Sequence, residues 1–204
     1  MNELMKNFTK PDDYVFVNNH CRKNALINAI DREEFFIDML NLHHFCMDEV
    51  PKIARAEIPK WVDAETGWPT VGNRKKINNG ERPKSICLGV RKSGKDLTEP
   101  IGNSRYNELW TYIQQIHDKH FGQWHTFNQC NILYNTKFIK HKDRPTKNNE
   151  TLMIGFGDYK GGCLKIKEDV YNINHQPILF NGNANEYQDM DYEGNKFVIL
   201  FNTI

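Results

Sequence analysis

A histidine and an aspartate with one residue between them end the apolar-basic run KFIKHKD, residues 137–143. In an extended chain alternate side chains point to the same face, so His141 and Asp143 would present an imidazole and a carboxylate side by side. These groups make up two thirds of the two-histidine, one-carboxylate set that holds non-haem Fe(II) in proteins. The pair therefore predicts a metal site that needs a third ligand from elsewhere in the chain.

The same spacing also arises without any metal. His141 and Asp143 could be a chance pair in a loop, or the aspartate could form an ion pair with a neighbouring lysine. The other histidine-rich stretch carries His117 and His120 on one predicted helix face, whereas His125 follows a glycine and a turn. No cysteine or carboxylate pair completes a known zinc spacing there. We interpret these as histidines near the negative end of a helix dipole.

Two helices are predicted in the first half of the chain. The segment 31–47 starts with Asp31 as an N-cap and with acidic residues in the first turn, and its apolar residues recur at helical spacing. The segment 104–121 is similar, with Leu109, Trp110, Ile113 and Ile116 on one face. Between the helices, prolines and glycines in 51–102 indicate loops and short strands.

The second half of the chain has the pattern of a β protein. After Gly122, short segments rich in β-branched or aromatic residues are bounded by turn residues. They are TFNQCNILYN, KFIKH, TLMIGFG, CLKIK, PILFNG and KFVILFNT. Strands in such a run pair antiparallel and close into a sandwich, barrel or jelly roll. The sequence therefore predicts one α+β domain, in which the helices buttress the β core.

Composition places the chain among globular proteins. Of 204 residues, 26% are charged, and the formal net charge is +1. We find no apolar run near the roughly 18 residues of a membrane span, and no apolar core of a secretory signal. The scattered cysteines favour reduced thiols. We expect a cytoplasmic protein without a membrane partner, or one of the host cytoplasm or nucleus if the abundant Asn and Lys reflect a viral genome.

Basic side chains are concentrated in residues 74–95, where Glu81 is the single acid. They are Arg74, Lys75, Lys76, Arg82, Lys84, Arg91, Lys92 and Lys95. Such a segment could contact nucleic acid, an anionic substrate or a cosubstrate carboxylate, and it could equally be a solvated loop. Nucleic acid is therefore one predicted partner, and a protein substrate is the open alternative.

Four pieces of the sequence, taken in order, resemble one enzyme superfamily. They are FNQCNILYNTKFIKHKD, ETLMIGFGDYKGGCLKI, ILFNGN and YEGNKFVILFNT. From about residue 85 to 204 the chain resembles the 2-oxoglutarate/Fe(II)-dependent dioxygenases, and it looks most like their viral, algal and TET/JBP-like branch. The resemblance implies a double-stranded β-helix (a jelly roll) over 85–204. Residues 1–84 would then be a helical and loop extension packed on that core.

The resemblance also implies the cofactors and the residues that hold them. Fe(II), or Mn(II) in its place, would bind to His141 and Asp143, which would be the catalytic residues. Lys196 stands where the family usually has an arginine that binds the distal carboxylate of 2-oxoglutarate. Asn131 and Tyr134 would assist in holding that cosubstrate.

The third metal ligand is the point at which the sequence departs from the family. Counting back from Lys196 by the family's spacing for the distal histidine gives Glu186. Three interpretations stay open: Glu186 replaces the histidine, a residue in a shifted register supplies the ligand, or the site has lost its metal. The shifted-register candidates are Asp189, Asp191 and His175. A family serine that often contacts the cosubstrate is replaced here by Val198.

Two main functions follow from the resemblance. The first is an oxygenase that hydroxylates a nucleobase or a protein side chain at an atypical site of His141, Asp143 and Glu186. The alternative is a jelly-roll module that has lost turnover and binds a ligand, nucleic acid or protein partner. A cupin-like isomerase or hydrolase that uses a metal without oxygen is a third candidate.

Overall fold

The computed structural model describes residues 30–72, 78, 80–93, 96–143 and 150–204. Within these ranges the helices are α1 (Arg32–Glu57), α2 (Gly102–Arg105) and α3 (Asn107–His120), with a 3₁₀ turn at Pro59–Trp61. The strands are β1 (Lys84–Gly89), β2 (Arg91–Ser93), β3 (Asp96–Thr98), β4 (Gln129–Tyr134), β5 (Thr151–Gly161), β6 (Leu164–Ile166), β7 (Asp169–Tyr171), β8 (Ile178–Phe180), β9 (Tyr187–Asp189) and β10 (Tyr192–Asn202). Helices and antiparallel strands are thus combined as the α+β prediction requires.

Helix α1 starts where the sequence predicted and extends past the predicted end. Its cap is Asp31, whose Oδ1 accepts a 3.0 Å hydrogen bond from the backbone N–H of Glu34. The helix continues through Pro51, although a proline removes one helical hydrogen bond. Val50, Pro51 and Ala54 are all buried, and this apolar burial offsets the lost bond.

The histidines of α3 take part in packing. The Nε2 atom of His117 lies 2.9 Å from Nδ1 of His125, and Nε2 of His120 lies 2.8 Å from a carboxylate oxygen of Asp38 on α1. Burial lowers the pKa of His117 to about 4, so its ring is neutral at pH 7. The structure divides the predicted helix over 104–121 at Tyr106, which ends α2 and precedes α3.

The strands form a larger and a smaller antiparallel sheet beside the β2–β3 hairpin. The larger sheet has the order β1-β4-β10-β5-β8, and the smaller has the order β7-β6-β9. The segment 138–141 extends the smaller sheet along β9. There His141 is the cross-strand partner of Tyr187, and the backbone N–H of Asp189 donates to the carbonyl of Phe138 at 3.0 Å.

From β4 onward the chain passes back and forth between these two sheets. β4, β5, β8 and β10 belong to the larger sheet, whereas 138–141, β6, β7 and β9 belong to the smaller one. Two antiparallel sheets connected in this way are compatible with a jelly-roll core. None of the helices in the described ranges has the length and apolar character needed to cross a bilayer.

Strand β10 contributes to two apolar layers. Phe197, Ile199 and Phe201 belong to the layer between the larger sheet and helices α1 and α3. Val198 and Leu200 belong to the layer between the two sheets. This period-two alternation sends Lys196 toward the smaller sheet, which makes the inter-sheet face of β10 the one that the candidate site shares. The domain boundary at residue 84 stays a prediction.

Candidate metal centre

His141 and Asp143 are held at the end of the smaller sheet. The backbone N–H of His141 donates to the carbonyl of Tyr187 at 3.0 Å, and that of Asp143 donates to the carbonyl of Gly182 at 2.9 Å. Nε2 of His141 lies 3.9 Å from Oδ1 of Asp143. Neighbouring ligands of one octahedral ion with bonds of about 2.1 Å lie about 3 Å apart, so the two atoms would have to approach each other by about 1 Å to bind one ion. The imidazole and the carboxylate lie on the same side of the chain, as the alternation predicts.

The tautomer of His141 suits a metal ligand. Its Nδ1 lies 2.8 Å from the backbone carbonyl oxygen of Ile139. Because that oxygen only accepts, Nδ1 is the donor in this contact, and in the neutral ring the lone pair of Nε2 would lie on the side of Asp143. A ring N–H fixed on a backbone carbonyl is the usual way in which proteins orient a metal-binding histidine.

Asp143 is oriented by Tyr187 and by Gly182. The phenolic O–H of Tyr187 donates to Oδ2 of Asp143 at 2.8 Å. A Cβ at Gly182 would lie 2.7 Å from the same Oδ2, so a glycine there leaves the carboxylate its place. The Tyr187 ring is itself buried, with its centroid 4.4 Å from that of His141 and 5.1 Å from that of Phe180.

The structure does not bring Glu186 to this pair. Glu186 is 49% exposed and forms an ion pair with Lys140, with 3.1 Å between Oε2 and Nζ. The physical reason is strand alternation: Tyr187 and His141 face inward opposite each other, so their neighbours Glu186 and Lys140 face outward together. Counting along the sequence could not reveal this, because it ignores which residue lies across the strand from His141.

The shifted-register candidates also lie elsewhere. Asp189 is bonded to Lys196, and Asp191 is exposed and paired with Lys137. His175 packs on Phe36, with 5.0 Å between ring centroids, and burial lowers its pKa to about 4. Within the described ranges no group of three or more His, Cys, Asp or Glu side chains is arranged to hold a metal ion.

Lys196 is buried, and its ammonium group donates two hydrogen bonds. Its Nζ donates to Oδ1 of Asp189 at 2.8 Å and to the carbonyl oxygen of Gly162 at 2.9 Å. The ammonium also lies 5.7 Å from the ring centroid of Tyr159 and 5.2 Å from that of Tyr192. Only 1% of the Lys196 side chain is exposed, so the charge is neutralised inside the protein by Asp189.

The two other predicted cosubstrate residues lie on opposite faces of β4. Tyr134 is on the helix side, where its O–H donates to Oδ1 of Asn195 at 2.7 Å. Asn131 is on the inter-sheet side, like Leu133, and its Nδ2 donates to Oε1 of Gln129 at 3.2 Å. The structure therefore places Asn131, but not Tyr134, on the side of the sheet that carries Lys196.

The two predicted cofactors stand differently. His141 and Asp143 supply two of the three ligands that the predicted metal site needs, and among the described residues no third His, Cys, Asp or Glu joins them. 2-Oxoglutarate does not fit at Lys196, because the carboxylate of Asp189 already holds the ammonium that would bind it. Apolar side chains of the inter-sheet layer, including Val198 and Leu133, fill the neighbouring space.

Similarity to known proteins is confined to three-dimensional structure. No protein-family model matches the sequence, and no curated protein matches it. The chain is similar to an oxidoreductase of the 2OG-Fe(II) oxygenase family from Burkholderia pseudomallei, with 12% identity over 67% of this chain and 73% of that one and a TM-score of 0.44. It is also similar to NgTET1 in complex with 5mC DNA, with 12% identity and a TM-score of 0.46. That match covers 63% of this chain and only 64% of the NgTET1 chain.

A further similar structure is a Pseudomonas putida prolyl-4-hydroxylase, with 13% identity, 75% of this chain and 87% of that chain covered, and a TM-score of 0.40. Of these three structures, the Burkholderia protein is the one described as a member of the 2OG-Fe(II) oxygenase family. They do not single out the viral, algal and TET/JBP-like branch, which stays a prediction.

Sequence reasoning missed two residues of the site. Tyr187 contacts both His141 and Asp143, and Asp189 holds Lys196. The period-two order of Tyr187 and Asp189 in a short strand could have placed them on one face. Only the strand register shows that this face meets His141.

Substituting Gly182 tests how closely the carboxylate of Asp143 is fitted. In Gly182→Ala the new methyl group would displace Oδ2, so we expect Mn(II) affinity to fall by about ten- to hundredfold. The matched control is Gly72→Ala, because a Cβ at Gly72 meets nothing within 4 Å. Isothermal titration with Mn(II) measures both variants, and equal affinities would show that Asp143 is not a ligand.

Proposed function

We propose that this chain is an Fe(II)-dependent oxygenase with a double-stranded β-helix core. The observation that carries the proposal is the pair of His141 and Asp143, whose facing atoms lie 3.9 Å apart with the imidazole proton fixed on the opposite nitrogen. The backbone amides of both residues donate hydrogen bonds, that of His141 to Tyr187 and that of Asp143 to Gly182, which fixes where the two side chains leave the chain. A ferrous ion bound there would supply the activation of dioxygen.

The order of the strands supports the double-stranded β-helix. The chain alternates between the larger and smaller sheets from β4 to β10, and 138–143 is the first smaller-sheet segment after β4. In this arrangement the candidate metal ligands lie at the end of one strand, against β9 and Gly182.

Lys196, the predicted anchor of the cosubstrate 2-oxoglutarate, is already paired with Asp189. A carboxylate of 2-oxoglutarate would have to displace Asp189 from Lys196, and Asp189 also accepts the backbone N–H of Phe138 at 3.0 Å. We therefore propose that 2-oxoglutarate remains the donor of the two electrons that hydroxylation by O2 requires, and we do not assign Lys196 to bind it.

The second candidate is a binding module without turnover. The specific observation in its favour is that the polar groups of the site already satisfy one another. Tyr187 donates to Asp143, and Lys196 donates to Asp189. In such a module these bonds would replace the metal and the cosubstrate as structural contacts.

The substrate is proposed from the charge pattern alone. Arg91 and Lys92 are exposed on the β2–β3 hairpin, where they could contact phosphate groups of a nucleic acid. Arg74, Lys75, Lys76 and Lys95 lie outside the described residues. A nucleobase or a protein side chain therefore stays the predicted substrate class, and the cytoplasmic or host compartment and the viral origin stay predictions as well.

Anaerobic titration with Fe(II) separates the two candidates. We expect one ion per chain to bind to the unmodified protein and binding to be lost in His141→Ala, because the ring nitrogen is one of two fixed donors. His44→Ala, on α1, is the histidine control and should bind as the parent does. If the parent binds no iron, the oxygenase proposal fails and the binding module remains.

Neutralising Asp189 tests whether Lys196 can act as a carboxylate anchor. Asp189→Asn keeps an acceptor for Phe138 and removes the carboxylate from the ammonium of Lys196, so we expect the affinity for 2-oxoglutarate to rise. Because the buried charge loses its partner, we also expect the free energy of unfolding to fall by about 3–5 kcal/mol. Asp191→Asn is the control, since Asp191 is an exposed acid paired only with Lys137 among the described contacts. Calorimetry with 2-oxoglutarate measures the change, and equal affinity in both variants would show that Lys196 is not the anchor.

A further inference from the structure

A cavity of about 460 Å³ lies on the helix side of the larger sheet, away from the candidate metal centre. It is bounded by α3, by the end of β1 and by the segment 122–128 that leads into β4. Cavities of roughly 300–1,000 Å³ are usual for small-molecule sites in proteins. We propose that this cavity binds a small organic cation, a primary ammonium carried on an aromatic body.

Two aromatic side chains form a corner of the cavity. The rings of Trp110 and Phe127 meet at 78°, with 5.6 Å between their centroids. Both rings are partly buried against the apolar layer between the larger sheet and the helices, which holds them in place. The face of an aromatic ring attracts a cation, and its apolar surface suits the body of a ligand.

The charged side chains of the cavity favour a positive ligand. Glu99 and Asp118 line it and are exposed, and no lysine or arginine is among its described lining residues. His117, which also lines the cavity, is neutral at pH 7 because burial lowers its pKa to about 4. Even a protonated His125 would leave the lining with a net negative charge, so the cavity disfavours an anion.

A nitrogen of His117 marks where the ammonium would bind. The residue is 2% exposed, and its Nδ1 has no hydrogen-bond partner among the described residues, whereas Nε2 lies 2.9 Å from Nδ1 of His125. Nδ1 is 3.6 Å from Oδ1 of Asp118, which is too far for a hydrogen bond. In the tautomer that donates from Nε2 to His125, Nδ1 is an acceptor. An ammonium between these two atoms would donate to the imidazole and pair with the carboxylate.

Hydrogen bonds fix the polar wall of the cavity. The side chain of Asn103 accepts from the N–H of Gly89 at 2.7 Å and donates to the carbonyl of the same glycine at 2.8 Å. The N–H of Val90 donates to the carbonyl of Asn128 at 2.6 Å. All four residues line the cavity, so a ligand would lose little affinity to ordering this wall.

The test is a calorimetric titration of the full chain at pH 7 with three probes that share one body. Phenethylamine carries an ammonium, 2-phenylethanol a hydroxyl and phenylacetate a carboxylate. We expect phenethylamine to bind about tenfold more tightly than the alcohol, and phenylacetate to bind more weakly than either. Equal affinities for the amine and the alcohol, a preference for the acid, or no binding of phenethylamine would overturn the inference.

Two variants of lining residues locate the binding in this cavity. Asp118→Asn removes one charge from an exposed side chain, so the affinity for phenethylamine should fall by about twofold to fivefold. Its matched control is Asp48→Asn, an exposed aspartate of α1 that does not line the cavity and should bind as the parent does. Trp110→Leu keeps an apolar side chain without the aromatic face and should also weaken binding. Unchanged affinity in Asp118→Asn, or in a folded Trp110→Leu, would contradict the proposed site.

This inference is independent of the proposed function. Trp110 and Phe127 pack on the helix side of the larger sheet, whereas the segment of His141 lies along the smaller sheet. His141→Ala should therefore bind phenethylamine as tightly as the parent does. A loss of phenethylamine binding in His141→Ala would place the probe at the candidate metal centre and overturn the assignment of this cavity.

Discussion

The buried ion pair between Lys196 and Asp189 is the contact on which the two-sheet arrangement depends. It joins β10 of the larger sheet to β9 of the smaller one, and the ammonium is 1% exposed. The second carboxylate oxygen of Asp189 accepts the backbone N–H of Phe138, so the same residue also holds the segment that leads to His141. Removing one partner of a buried pair typically costs about 3–5 kcal/mol, because the other charge is left unpaired.

The inward-facing side chains of β9 determine which groups surround His141, Asp143 and Lys196. Tyr187 and Asp189 are two residues apart on this face, one against His141 and Asp143 and the other against Lys196. The first supplies an oxygen beside the candidate metal ligands. The second binds the ammonium of Lys196, which is the cation that a cosubstrate carboxylate would need. One short strand thus places a phenol against Asp143 and a carboxylate against Lys196, the predicted anchor.

The period-two and helical spacing of apolar residues predicted much of the fold. They located α1, the strand-rich second half and the shared face of His141 and Asp143, because these depend on neighbours along the chain. Which residue lies across the strand from His141 depends on register, which a count back from Lys196 cannot supply, and so the contacts of Tyr187 with His141 and Asp143 were missed. The sequence pattern also did not predict that α1 continues through Pro51, because this continuation depends on burial of the helix against the rest of the fold.

Anomalous diffraction from a crystal soaked in Mn(II) would show whether His141 and Asp143 bind a metal. We expect a single anomalous peak within bonding distance of Nε2 of His141 and a carboxylate oxygen of Asp143. A map with no peak there, in which the hydroxyl of Tyr187 still donates to Asp143, would rule out the metal site and leave the binding module as the function.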